Sequence, residues 1–138
     1  METKFNFKSQ PCTSRSQSER LLALGLKKET ADCGHFYGIV EHEEYEDWET
    51  IILDDYGWES HWDVTDEEIP AWSLDRLREM LNKSGVTISF VERDTSIIVE
   101  RYGVFQNVFE IWDNVYDNIC DAVEWLIKER HFNKEYLE

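Results

Sequence analysis

Between Lys28 and Arg76 the chain has no lysine and no arginine. The 47 residues from Glu29 to Asp75 hold sixteen aspartates and glutamates, so this block alone equals the net charge of −16 carried by all 138 residues. The flanks offset each other, with +4 over residues 1–28 and −4 over residues 76–138. So little positive charge argues against direct binding of nucleic acid, because neutralising phosphates takes Lys and Arg. It argues against an anionic membrane surface for the same reason. A basic protein surface or a divalent cation is the natural electrostatic partner.

Other scarcities exclude more. Only two prolines and six glycines are present, and no low-complexity linker or internal repeat occurs, which excludes a disordered or multi-linker chain. The three cysteines, Cys12, Cys33 and Cys120, are odd in number and lack CxxC spacing. A disulfide framework and a structural zinc site are therefore not expected, and free thiols in a reducing cytoplasm are. No apolar run approaches 18 residues, so no transmembrane helix is expected. The first eight residues, METKFNFK, have no apolar core and do not read as a signal peptide.

What is present is enough apolar material for a core: 41% hydrophobic and 14% aromatic residues. A chain of this length buries roughly 68% of the surface that its unfolded form exposes. Four of the six tryptophans, Trp48, Trp58, Trp62 and Trp72, lie inside the acidic block. A solvated acidic tail does not normally carry such rings, so the block reads as folded and acidic together.

Periodicity and punctuation give the elements. Residues 1–12 read as an extended arm, with Phe5 and Phe7 alternating with polar neighbours. Ser14 and Gln17, or Ser16 and Glu19, have capping-box spacing for a helix whose face is Leu21, Leu22 and Leu24 and whose stop is Gly25. A further short helical turn is expected over Leu26–Asp32. His35–Val40 and Trp48–Leu53 read as strands, Glu41–Asp47 as a solvated turn or hairpin end, and Trp58–Glu68 as acidic and irregular. Ser73, preceded by Trp72, caps a helix bearing Leu74, Leu77, Met80 and Leu81 and ending at Lys83–Gly85. Val86–Val91, Ser96–Tyr102 and Phe105–Trp112 form an antiparallel meander. Asp113 or Asn114 starts a last helix with Val115, Ile119, Ala122, Val123 and Leu126 on one face. The tail from His131 to Glu138 docks or frays. The expected fold is a single α+β domain over residues 1–138, with an antiparallel sheet of three to five strands packed by two or three helices.

Three stretches in this order carry a resemblance: Ser16-Gln17-Ser18-Glu19-Arg20-Leu21-Leu22-Ala23-Leu24-Gly25-Leu26 with Thr30-Ala31-Asp32, then Ile69-Pro70-Ala71-Trp72-Ser73-Leu74, then Asp121-Ala122-Val123-Glu124-Trp125-Leu126-Ile127. Together the chain resembles uncharacterised small accessory proteins of prophages and mobile elements of gut anaerobes. The resemblance implies no activity, cofactor or catalytic residue, and the charge run Glu41–Glu49 falls outside it. Taken by themselves, the three stretches read as a helix stop, a capped helix start and core packing.

No motif for chemistry stands out. His35, His42 and His61 lie among carboxylates, as a metal-assisted enzyme would need, but without HxxxH or HExxH spacing. Asp63, Thr65 and Glu67 have the spacing of a calcium loop, yet Glu68 stands where that loop needs glycine. Cys33 and His35 are two residues apart, which does not by itself make a catalytic pair. Glu43/Glu44 and Asp54/Asp55 are adjacent and so point to opposite faces of a strand. No catalytic, cofactor or metal residue is assigned, and no cofactor is expected. The reading is a non-enzymatic accessory protein that binds a basic protein surface. The candidate partner-binding residues are Glu41, Glu43, Glu44, Tyr45, Glu46, Asp47, Trp48, Glu49, Trp58 and Trp62. Within it, Glu41, Glu43 and Tyr45 share a face of a strand Ile39–Tyr45, and Asp47, Glu49 and Ile51 share a face of the next. Two alternatives stay open: a nucleic-acid mimic that inhibits a DNA-binding protein, and the metal-assisted enzyme. Acids that only keep the protein soluble and guard a sheet edge are the competing explanation of the charge.

Overall fold

The structure is a computed structural model that describes residues 10–40, 43–52, 67–91 and 95–138, with the backbone alone at 38–40, 43–47, 49, 51 and 67. Helix α1 (Arg15–Ala23) starts at the expected capping box. Ser14 Oγ accepts the Gln17 N–H at 3.2 Å, and Gln17 Oε1 accepts the Ser14 N–H at 2.8 Å. Gly25, at φ +104°, ends the helix. Its N–H reaches the Leu22 carbonyl, and the Leu26 N–H reaches the Leu21 carbonyl. This is the Schellman arrangement, which uses the orphan carbonyls and sets Leu26 against Leu21. A 3-10 turn at Lys28–Thr30 follows, as the sequence predicts.

Helix α2 (Leu74–Lys83) starts at Ser73, whose Oγ accepts the Arg76 N–H. It stops at Gly85 with the same two-bond pattern, from the Val86 N–H to the Leu81 carbonyl and from the Gly85 N–H to the Asn82 carbonyl. Helix α3 (Val115–Lys128) is capped by Asn114, whose side-chain oxygen accepts the Tyr116 and Asp117 N–H groups.

Among the described residues, six strands make two antiparallel sheets of three. One is the meander β4 (Thr87–Phe90), β5 (Ile97–Arg101) and β6 (Phe105–Phe109), with β5 in the middle. The other has β1 (Cys33–Val40) in the middle, flanked by β2 (Glu43–Ile52) and β3 (Glu67–Ala71). The chain is therefore a single α+β domain, with three α-helices among the described residues.

Two differences from the sequence reading fall in this second sheet. The acidic stretch Glu43–Asp47 is strand at the end of a hairpin and not a solvated turn: Gly38, Ile39 and Val40 pair with Tyr45, Glu44 and Glu43. The chain thus reverses between Val40 and Glu43, and the single strand Ile39–Tyr45 does not form. Backbone pairing with a central strand outweighs the low strand propensity of acids. The register also shifts between Phe36 and Gly38, setting three β2 residues opposite Tyr37. The second difference is β3, whose first residues, Glu67 and Glu68, end the stretch expected to be irregular and pair with Tyr37 and Phe36. Pro70 fits there because β3 is an edge strand, where a missing N–H is tolerated.

The core lies where the meander, α2, α3 and the start of β1 meet. Leu21, Trp72, Leu77, Leu81, Ile97, Val99, Ile119 and Leu126 are fully buried in it. Trp125 is half-buried, with its ring edge-on to Phe105 at 5.1 Å. The tail docks: Leu26 and Leu137 form a β-bridge, and the Glu138 N–H reaches the Gly25 carbonyl. The proposed arm lies outside the described residues as far as residue 9.

Candidate functional site

Two places on the β2-β1-β3 sheet bear on function. The first is its acidic rim. Glu43, Glu44, Glu46, Asp47 and Glu49 all fall on β2, and Glu67 and Glu68 on β3, while β1 between them has no Asp, Glu, Lys or Arg. Both edges of the sheet are thus acidic. Of the predicted partner-binding residues, Tyr45, Trp48 and the five acids of β2 share that strand. Glu41, Trp58 and Trp62 lie outside the described residues, as do His42 and His61 of the metal reading and Asp63 and Thr65 of the calcium reading. Trp48 is half-buried. The guanidinium of Arg15, the first residue of α1, sits 4.6 Å from its ring centre, and the Tyr37 ring lies 5.8 Å away. A cation over an indole face is favourable by about 0.5–1 kcal/mol.

The second place is a buried thiol–imidazole cluster where the start of α1 meets the sheet. Cys33 and His35 are two apart on β1, so both point to one face of the sheet. Cys12 is brought to them by the segment just before α1. That segment is clamped by a two-way bond with Trp72: the Thr13 N–H donates to the Trp72 carbonyl at 2.9 Å, and the Trp72 N–H donates to Thr13 Oγ1 at 3.0 Å. Cys12, Cys33 and Ala71 form one small apolar cluster, and all three cysteines of the chain are buried free thiols.

His35 is held from both sides. Its Nε2 lies 2.7 Å from the Thr13 carbonyl, which can only accept, so Nε2 carries a proton. Its Nδ1 lies 2.9 Å from Thr50 Oγ1 on β2. The hydrogen bond with Cys12 raises the pKa of His35, burial opposes this, and the Thr13 carbonyl adds to the rise. The two thiols are pushed apart. A hydrogen bond from Cys33 lowers the Cys12 pKa, against burial and with help from His35. Cys33 is pushed up by that same bond, by burial and by the Asp32 carboxylate. Asp32 is itself fixed, accepting both the N–H and the hydroxyl of Ser73 at the start of α2. Cys120 is different: burial in the main core pushes it up to about 12.

The spacing in the sequence brings Cys33 and His35 together but not Cys12. Starting the strand at Cys33 instead of His35 would have put the pair on one face. Nothing in the sequence brings residue 12 to it. Among the described residues, no group of three or more His, Cys, Asp or Glu is placed to hold a metal ion, and no helix is long and apolar enough to cross a membrane. Compared with protein-family models, curated proteins and solved structures, the chain matches none.

Proposed function

We propose that this is a non-enzymatic accessory protein of the cytoplasm that binds a basic protein surface through the acidic edge of the β2-β1-β3 sheet. The observation that carries the proposal is the position of β2. A ten-residue strand with five acids and no basic residue lies at a sheet edge, and among the described residues no strand pairs with its outer side. An extended Lys- or Arg-rich segment laid along that edge would gain main-chain hydrogen bonds and charge complementarity together. Neighbouring Tyr45 and Trp48 are residue types that anchor interfaces.

Charge reversal tests this directly. The variant with Glu41→Lys, Glu43→Lys, Glu46→Lys and Glu49→Lys is compared with the wild type for capture of partners from a cell lysate and for binding of an arginine-rich peptide. The variant is expected to lose the captured partners and at least tenfold in peptide affinity while keeping its circular dichroism spectrum. Raising salt from about 0.1 to about 1 M, which shortens the screening length from about 10 to about 3 Å, should weaken wild-type binding steeply. If the folded variant retains every partner and the peptide equally well, the proposal fails.

A further inference from the structure

We propose that Cys12 and Cys33 are a peroxide-reactive thiol pair that closes to a reversible disulfide, with Cys12 as the attacking sulfur and Cys33 as the resolving one. The inference is independent of the acidic edge and rests on three features of the geometry. Cys12 and Cys33 pack together with Ala71 in one small buried cluster, and their thiols act on each other. The His35 imidazole, held by the Thr13 carbonyl and the Thr50 hydroxyl, stands beside Cys12, where its positive charge favours a thiolate. Cys12 takes the attacking role because it adjoins Thr13, whose carbonyl holds the His35 ring, whereas Cys33 directly follows Asp32 in the chain, whose carboxylate opposes a negative charge there.

Burial selects the oxidant. Cys12 and Cys33 are each only 2% exposed, which bars bulky disulfides and admits a reagent the size of hydrogen peroxide. In the first step the Cys12 thiolate attacks one peroxide oxygen; the S–O bond forms, the O–O bond breaks, and the departing hydroxide takes up a proton to become water. Cys12 is then a sulfenic acid. In the second step the Cys33 sulfur attacks Cys12 Sγ; the S–S bond forms, the S–O bond breaks, and the leaving hydroxide takes the Cys33 proton. Two thiols and one hydrogen peroxide give one disulfide and two waters. Thiol reductants reverse the product by exchange.

Cys120 is the internal control, being a buried thiol with no second thiol in its cluster. The fully reduced protein is treated with a stoichiometric amount of hydrogen peroxide, unfolded in an alkylating reagent and weighed by mass spectrometry. The expected product takes up one alkyl group instead of three, has lost two hydrogens, and yields a peptide linking residues 12 and 33. A thiol reductant restores three alkylations. In Cys33→Ala the cross-link is absent and Cys12 accumulates as a sulfenic acid that a 1,3-diketone traps on unfolding; in Cys12→Ala neither product forms. Three alkylations after peroxide, a cross-link through Cys120, or oxidation of Cys33 at the wild-type rate in Cys12→Ala would each overturn the assignment. The wild-type readout decides the matter even if a variant does not fold.

Discussion

The two sheets are the same size and the same kind, yet they are held together differently. In the β4-β5-β6 sheet one face is apolar: Ile88, Ile97 and Val99 are buried, and Phe90, Phe105 and Phe109 pack against the core. Its three strands contain a single acid, Glu100, and a single base, Arg101. In the β2-β1-β3 sheet the edges carry seven acids and no base, and the inner side is tied by polar links that run from Thr13 to His35 and Trp72 and from Asp32 to Ser73. A sheet built on an apolar face takes its register from side-chain alternation, since a one-residue slip would expose the whole set. The second sheet takes its place from individual hydrogen bonds to segments far away in sequence.

The largest expected effect tests the first half of this comparison. Ile97→Ala removes a fully buried side chain from the meander and should lower unfolding free energy by about 2–5 kcal/mol, read from a shifted denaturant midpoint. A loss under about 1 kcal/mol would mean that the apolar face does not hold this sheet.

Thr13→Val tests the other half. It keeps the shape but removes the hydroxyl that accepts the Trp72 N–H and shares a 2.7 Å hydrogen bond with Ser18 Oγ, all at a fully buried position. Leaving such a group unsatisfied costs about 1–3 kcal/mol. Hydrogen exchange should show where the loss falls: protection is expected to drop in β1 and β3 and to hold in β4–β6. Equal loss in both sheets would erase the distinction drawn here.

The smallest effect concerns the seam between α1 and α3, where Arg20 Nη2 contacts Asp121 and Glu124, each at 2.7 Å. The Arg20 hydrogen bond, followed by that of Lys128, lowers the Glu124 pKa below its ordinary value of 4.5. A group whose folded pKa is depressed stabilises the fold above its unfolded pKa and loses that contribution as pH falls through the folded one. Stability of the wild type and of Arg20→Met should therefore differ at pH 7, by no more than the ~1 kcal/mol of an exposed pair, and converge below pH ~4.5 as Glu124 protonates. A gap that stays constant through the acid range would assign the effect of Arg20 to packing of its stem instead.

Much of the fold is legible in the residues, and unevenly so. The capping box at Ser14, the cap at Ser73, the stops at Gly25 and Gly85 and the leucine face of α2 are local, because a helix satisfies its backbone within a few residues. The meander is nearly as local, with strands joined by short connections. The strand character of Glu43–Asp47 and of Glu67–Ala71 was hidden, because each takes its hydrogen bonds from β1 and neither has the apolar alternation that marks a strand. Of the predicted binding residues, the ones on β2 were named as a charge run, but their place at a sheet edge came only with the pairing.

By itself, then, the sequence determined the α+β class, the helix limits, the hydrophobic meander and a middle block with sixteen acids and no base. These follow from composition and short-range spacing. The tertiary structure alone decided that seven of these acids lie on two edge strands, and that Cys12 meets Cys33 and His35 across a gap of about twenty residues. Such meetings depend on which distant segments clamp together, here Thr13 with Trp72 and Asp32 with Ser73. No local period encodes them.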